Sequence, residues 1–224
     1  MKTVLYEKDG LIGRVTLNRP EKLNAINDDM PRDLEEAITL ANDDPDISVI
    51  ILSGNGKAFC SGYDLSEYAQ GNESNKFTQK MPWDPIKDYQ TMWNDTQHFM
   101  SIWKSLKPVI CKVHGFAIAG GSDIALCSDM IIMADNAEIG YMPSRVWGTP
   151  TTAMWVHRIG PEKAKKMLFT GDKINGKEAE KIGLVLESVS SEKLDERVEA
   201  LATRIKTVPI NQLAMQKMVI NQYM

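Results

Sequence analysis

The amino-acid sequence predicts an α/β protein whose strands run in mainly parallel order, and three observations carry that expectation. Short, mostly apolar runs recur at residues 49–52, 109–113 and 130–134, the pattern of strands covered on both faces. Helical stretches separate them, as connections between parallel strands require. Glycine-bearing turns stand between strand and helix at 58–65 and 115–121. What recurs is an arrangement, a strand pair followed by a helix, without identical repeats or low-complexity segments.

Residues 4–6 and 11–17 are β-branched runs joined by Lys8-Asp9-Gly10, a hairpin signal with its turn at Asp-Gly. Asn18-Arg19-Pro20 ends the second strand. Over 28–42, Met30, Leu34, Ala37, Ile38 and Ala41 keep helical spacing with Asp28 as the expected N-cap. The strand at 49–52 stops at Ser53-Gly54-Asn55-Gly56. The polar stretch 70–80 is expected to be a mobile loop. Residues 85–106 read as a long helix stopped by Pro108, with the stripe Ile86, Tyr89, Trp93, Thr96, Met100 and Trp103 packed into the core. After the strand 109–113 come a glycine-rich turn over 115–121, a helix over 122–128 and the strand 130–134.

Helices then follow at 150–158, 161–169 and 176–181, a strand at 184–189, and two more helices from 193. The last runs apolar from near Pro209 to Met224 without a polar stop, so the chain is expected to end inside an element. One large domain is the default at this length. Residues 1–190 form its core and 191–224 a helical region that is expected to be incomplete.

Composition removes several function classes. Hydrophobic content of 43% and charged content of 25% are those of a globular chain. The net charge is −4 and the basic residues are scattered, so there is no phosphate track for nucleic acid. The longest apolar runs are far too short to cross a bilayer of about 30 Å. The N-terminal MKTVLYEKDG places charges where a signal peptide needs an apolar segment, and a cytoplasmic location is expected. Cys60, Cys111 and Cys127 are odd in number and include no Cys-x-x-Cys, and the three histidines stand apart. Neither disulfides nor a metal site is indicated, and each cysteine reads as a small buried hydrophobe.

The chemistry concentrates in the two turns. In Ala58-Phe59-Cys60-Ser61-Gly62-Tyr63-Asp64-Leu65, the glycine before Tyr63 lets the backbone approach a ligand and offers the Tyr63 amide as a donor. In Gly115-Phe116-Ala117-Ile118-Ala119-Gly120-Gly121-Ser122-Asp123, paired glycines permit close approach, and the helix that follows aims its first amides and positive dipole end at the turn. Each turn alone is an ordinary strand-to-helix connection. Converging, the amides of Tyr63 and Gly120 would form an oxyanion hole, and a thioester carbonyl becoming an enolate is a natural client.

Over nearly its whole length the chain resembles the crotonase family of enoyl-CoA hydratases and isomerases. The matching pieces are Leu17-Asn18-Arg19-Pro20-Glu21-Lys22-Leu23-Asn24-Ala25, the segment 46–54 leading into 58–65, the segment 108–123, and Thr170-Gly171-Asp172 with 179–185. The resemblance implies a crotonase-like spiral of repeated ββα units and a C-terminal helical region that makes homotrimers, paired into hexamers. It implies a coenzyme A thioester as substrate, with no permanently bound cofactor and no metal. On the matched positions, Tyr63 and Gly120 become the oxyanion donors. Ser61, Gly62, Asp64, Leu65 and Gly121 line the adenine and pantetheine track, alongside Lys22, Leu23, Asn24 and Ala25, with Lys22 as a phosphate contact.

Hydratases of this family use two glutamates, one to handle water and one to deliver a proton to the α-carbon. The first aligns with Asp123. Where the second is expected, the chain reads Gly140-Tyr141-Met142-Pro143-Ser144-Arg145 and offers no carboxylate. Its place falls to Ser144, Arg145 or Tyr141. Arg145 stays protonated and so cannot act as a base. It is a candidate for a substrate carboxylate or for a salt bridge within the trimer, and Tyr141 for a proton or hydrogen-bond donor. Glu138 alternates with Ile139 and falls on the opposite face of a strand. His114 reads as a satisfied core histidine and Asp64 as a turn-holding side chain. The resemblance thus implies an enzyme of hydratase or isomerase type, a lyase or isomerase acting on a 2-enoyl-CoA or related thioester. A hydrolase with Ser122 as nucleophile, a decarboxylase and a non-catalytic acyl-CoA binder are the alternatives. The acyl group would be chosen by the loop 66–84 and by Trp83, Trp93 and Trp147.

Overall fold

The computed structural model describes residues 1–68, 81–82, 84–145, 148–150 and 152–222, with the backbone alone at 67, 68 and 88. The expected loop 70–80, Trp83 and Trp147 lie outside the described residues.

The chain opens on the hairpin. Strands β1 (Val4–Asp9) and β2 (Ile12–Leu17) pair antiparallel with Asp9 opposite Ile12, and Gly10 takes the positive φ of +58° that an L side chain resists. Helix α1 (Met30–Asp43) buries Met30, Leu34, Ala37, Ile38 and Ala41. Its cap corrects the expectation of Asp28. The N-cap position is Asp29, whose side chain makes no cap bond, and Asn27 Oδ1 accepts from the Met30 amide at 3.1 Å instead.

Strand β3 (Val49–Gly54) follows, then α2 (Leu65–Tyr68), α3 (Pro85–Lys104), β4 (Val109–Val113), β5 (Phe116–Ile118), α4 (Gly120–Leu126), β6 (Met130–Ala134) and β7 (Glu138–Gly140). The second half holds α5 (Met154–Thr170), broken at Gly160, then β8 (Lys173–Asn175), α6 (Gly176–Ile182), β9 (Glu187–Val189), α7 (Leu194–Ile205) and α8 (Ile210–Asn221). The six-stranded sheet runs β1-β2-β3-β4-β6-β9 and is parallel after the hairpin. A second sheet runs β5-β7-β8.

Successive passes of the chain place one strand in each sheet before a helix. β4 and β5 precede α4, and β6 and β7 precede α5. The turn after β3 joins the second sheet through the bridge Cys60↔Ala117, so one row runs Cys60, Ala117, Ile139, Ile174 across it. That two-layer winding is the predicted ββα spiral. Between the layers and helices lie Leu17, Ile50, Leu52, Phe59, Val113, Ile124 and Ile131, all fully buried. Helix α7 packs over β3, β4 and β6.

Three further expectations are corrected. The turn over 115–121 contains strand β5, and α4 begins at Gly120 rather than Ser122. The strand near 184–189 is only β9, because the Leu184 amide still bonds to Ala179 O at the end of α6. The α3 stripe divides: Thr96 and Trp103 are buried, whereas Ile86, Tyr89 and Trp93 are exposed, the latter two rings stacked at 6.2 Å. Helical periodicity marks a face but does not say what covers it.

Candidate active site

The two glycine turns lie against each other. The Cys60 amide donates to Phe116 O at 2.8 Å and the Ile118 amide to Cys60 O at 3.1 Å, so the first turn runs alongside β5. Around Tyr63, the Ile26 amide donates to Gly62 O at 2.8 Å and the Asp64 amide to Ile26 O at 2.9 Å, which fixes the orientation of the peptide planes on either side. Gly62 sits at φ +96°, and a Cβ there would meet Ala119 Cβ and Ile118 O at 3.0 Å. A Cβ at Gly121 would reach within 2.4 Å of Cys60 O. At Gly120 it would touch Ile26 Cδ1 at 2.7 Å and the Tyr63 ring at 2.8 Å. The residues expected to supply both oxyanion amides are therefore direct neighbours, and glycine is what lets them meet.

Ala119 makes the bend between β5 and α4. It adopts φ 53° and ψ −125°, a conformation whose cost for a non-glycine residue is about 1–3 kcal/mol. Its amide donates to Gly140 O at 3.0 Å, and its carbonyl accepts from Ser122 and Asp123 at 2.9 and 3.2 Å. The first amides of α4 have no acceptor within the helix, and the whole helix is buried, which strengthens its positive end.

Asp123 lies in the first turn of α4 with 2% of its surface exposed, and its Oδ1 is buried with no hydrogen-bond partner among the described residues. Burial pushes its carboxyl up to about 8, opposed by the neighbouring Thr152 hydroxyl. Thr152 Oγ1 is buried beside it. Tyr141, 6% exposed, is near enough to feel the Asp123 charge. Burial and then the Asp123 charge raise its phenol above its ordinary value.

The expected coenzyme A track divides into framework and rim. Asn24, fully buried, accepts from the Arg19 amide and donates to Asn55 O and Ala58 O, each at 2.8 Å. Asp64 pairs with Arg19 at 3.0 Å and accepts from the Ser66 amide at 3.1 Å. Burial alone would raise its carboxyl, but the bonds to Ser66 and Arg19 hold it below the usual value. These two side chains thus knit the 19–26 loop to the 58–66 turn. Leu23 and Asn24 both have left-handed backbone at φ 51° and 55°, and the Leu23 carbonyl accepts from the Ser61 amide at 3.1 Å. Ala25 is buried as well. Lys22 and Leu65 are exposed on the rim, with Lys22 Nζ 3.3 Å from Ser66 Oγ.

Arg145, expected among the catalytic groups, turns elsewhere. It closes a 3-10 turn, and its guanidinium donates to Thr170 O at 2.6 Å and pairs with Asp172 at 2.7 Å, with 62% of the side chain open to solvent. This is a salt bridge within the chain itself, formed because Gly171 lets the arginine stem lie over it. Glu138 pairs with Lys173 at 2.7 Å on the far face of β7. Ser122 Oγ donates to Ala119 O at 2.6 Å and lies in a fully buried position, so its proton is held by a backbone carbonyl rather than by a base that would activate it. His114 is only half satisfied: Nε2 meets Gly56 O at 3.0 Å, while Nδ1 is buried without a partner among the described residues. All three cysteines are buried, and burial pushes the Cys60 and Cys111 thiols up to about 12. The neighbour of Asp123 that sequence reasoning missed is Thr152; a threonine two residues after Pro150 carries no periodicity that marks it.

Known proteins place this architecture. The crystal structure of an enoyl-CoA hydratase from Mycobacterium smegmatis superposes with a TM-score of 0.92 at 43% identity, covering 100% of this chain and 78% of that one. The fold is the crotonase fold, that of a class of acyl-CoA enzymes. Residues 7–224 match the model of the enoyl-CoA hydratase/isomerase family, and the chain belongs to that family. A probable enoyl-CoA hydratase from Mycobacterium tuberculosis is 32% identical over 224 residues, 99% of this chain and 82% of that protein. A crotonyl-CoA hydratase from Syntrophomonas wolfei is 33% identical over 208 residues, 91% of this chain and 75% of that protein. The chain is thus an enzyme of enoyl-CoA hydratase/isomerase type. No helix among the described residues is long and apolar enough to cross a membrane.

Proposed function

We propose that this protein adds water across the C2=C3 bond of a 2-enoyl-CoA, with the backbone amides of Tyr63 and Gly120 receiving the thioester oxygen and Asp123 moving the proton. The observation that carries it is the packing of Gly120 against Tyr63, with a buried carboxyl one helical turn further on. As the water oxygen bonds to C3, electrons move onto the thioester oxygen as an enolate. Donors aimed at that charge in a dry pocket are worth about 3 kcal/mol each. Protonated Asp123 gives its proton to C2, the thioester carbonyl reforms, and the surplus proton of the water returns to the carboxylate. One carboxyl group thereby completes the addition and ends as it began.

Coenzyme A would run along the rim formed by Lys22, Leu23, Ser61, Gly62, Leu65 and Gly121, with the ammonium of Lys22 on a phosphate. The 191–224 region, treated as a unit apart from the 1–190 core, would assemble a homotrimer or a dimer of trimers. Supporting this, α8 exposes Met215, Met218, Val219 and Ile220, apolar area that a second copy would cover. A cytoplasmic location suits a coenzyme A thioester.

A single carboxyl also suits a second reaction, carriage of one proton between C2 and C4 of an enoyl-CoA. A panel of 2-enoyl- and 3-enoyl-CoA thioesters of graded chain length, read by mass spectrometry, separates the two. Hydration adds the mass of one water and isomerisation adds none. Asp123→Asn should abolish turnover while leaving coenzyme A affinity nearly intact, and unchanged turnover would remove Asp123 from the mechanism.

A further inference from the structure

We propose that Ala119 is the positioning residue of the oxyanion site, its backbone aiming the Gly120 amide and its methyl group spacing that amide from the Tyr63 one. The inference rests on the assignment of those two amides above and adds to it the residue that holds them in register. Ala119 has φ 53° and ψ −125°. Leu23 shares that sign of φ but, at ψ 38°, stands in the ordinary left-handed basin. Ala119 lies outside that basin, in a region that glycine enters freely and a β-carbon resists. An alanine here is therefore less stable than a glycine would be, so the methyl group does not serve the turn itself.

Its contacts lie on the catalytic side. A trans peptide is planar, with its carbonyl and its N–H pointing in opposite directions, and the Ala119 carbonyl and the Gly120 N–H share one such plane. That carbonyl accepts from the Ser122 amide at 2.9 Å, the Asp123 amide at 3.2 Å and Ser122 Oγ at 2.6 Å, all within α4. The Gly120 N–H is thereby turned out of the end of the helix. On the other side, the Ala119 amide is tied to Gly140 O at 3.0 Å. The methyl group meanwhile faces Gly62, where an added Cβ would meet it at 3.0 Å. Gly62 contributes the carbonyl half of the peptide whose N–H belongs to Tyr63, and that carbonyl accepts from the Ile26 amide at 2.8 Å. Ala119 thus bears on both donor peptides at once. With its amide and carbonyl fixed and its torsions confined by the β-carbon, it leaves the two donors little freedom to turn apart.

The test compares the full chain with Ala119→Gly and Ala119→Ser. Glycine removes both the strain and the methyl contact, whereas serine keeps the β-carbon. Thermal denaturation is read beside two rates, hydration of crotonyl-CoA and exchange of the C2 protons of butyryl-CoA into deuterium oxide. Both reactions place charge on the thioester oxygen. Ala119→Gly is expected to melt about 2–4 °C higher than wild type and yet to lose about 10-fold or more in kcat for both reactions, with KM nearly unchanged. Ala119→Ser should recover the rates. A residue that only held the fold would move stability and rate in the same direction. Ala119→Gly with wild-type rates, or with a lower melting temperature alongside the lost activity, would overturn the role of Ala119, as would a folded Ala119→Ser protein as slow as the glycine variant. A wild-type protein that carries out neither reaction would overturn the oxyanion reading, and the role of Ala119 with it.

Discussion

Lys217 of α8 places its Nζ 2.7 Å from Asp129 Oδ2, with 6% of one side chain and 18% of the other open to solvent. The same nitrogen donates to Ile102 O at 3.2 Å and Lys107 O at 3.1 Å, and the same carboxylate oxygen accepts from the Val109 amide at 2.7 Å. The last helix is thus pinned to the start of β4 through a charge pair removed from water. Lys217→Ala would strand the carboxylate, and a loss of about 3–5 kcal/mol is expected. Urea denaturation measures it, and the double variant Lys217→Met with Asp129→Asn should recover much of the loss. A single-variant loss below about 1 kcal/mol would mean that the pair behaves as a surface one.

The glycines of the second turn separate catalysis from folding. Gly120→Ala puts a methyl against the Tyr63 ring and the tip of Ile26, both side chains able to shift. The Tyr63–Gly120 junction should open at modest cost in stability, with kcat falling by about 100-fold or more as an oxyanion donor is displaced. Gly121→Ala drives its methyl into the backbone carbonyl of Cys60 at 2.4 Å, so the fold itself should fail. Steady-state kinetics with thermal denaturation distinguishes the two, and a fully active Gly120→Ala protein would contradict the oxyanion assignment.

Asp123 should make both activity and stability depend on pH. Its carboxyl rises from 3.8 to about 8 on folding, so the folded state binds the proton more tightly than the unfolded chain. The stability it lends is complete below about pH 4 and is lost as pH rises toward 8. Wild type should therefore weaken between pH 5 and pH 9 by a few kcal/mol, on the order of 1.4 kcal/mol for each pH interval of one. Asp123→Asn should lack that slope, so superimposable pH profiles of the two would argue against the burial of a neutral acid. Hydration, which uses the protonated form, should decline above about pH 8, whereas a reaction that begins by abstracting a proton should rise over the same range.

Arg145 provides a contrary case. Its pair with Asp172 is largely solvent-exposed, and such pairs contribute about 0–1 kcal/mol. Arg145→Ala should therefore move the denaturation midpoint little and leave crotonyl-CoA hydration close to wild type. A collapse of kcat with the fold intact would return the guanidinium to the chemistry.

Strands β4 and β6 are legible to the residue, because a strand covered on both faces is apolar along most of its length, Lys112 being the one charged residue of β4. The glycines at 62 and 121 mark where the backbone approaches itself, and Gly120 where it meets the side chains of Ile26 and Tyr63. The three-residue strands β5 and β8 left no mark, being too short for alternation to register. The exposed half of the α3 stripe carried the same periodicity as the buried half.

The order of turns, glycines and carboxyl is written in the linear chain, and with it the crotonase resemblance and the pair Tyr63 and Gly120. These are local demands, of backbone conformation and close approach, that a residue type answers by itself. The partners of each polar group were decided only in three dimensions. Arg145 went to Asp172, Asn24 and Asp64 to the loop framework, and Thr152 to Asp123. The proton affinity of Asp123 follows from burial by elements brought together from across the chain, and desolvation depends on what surrounds a group rather than on its neighbours in sequence.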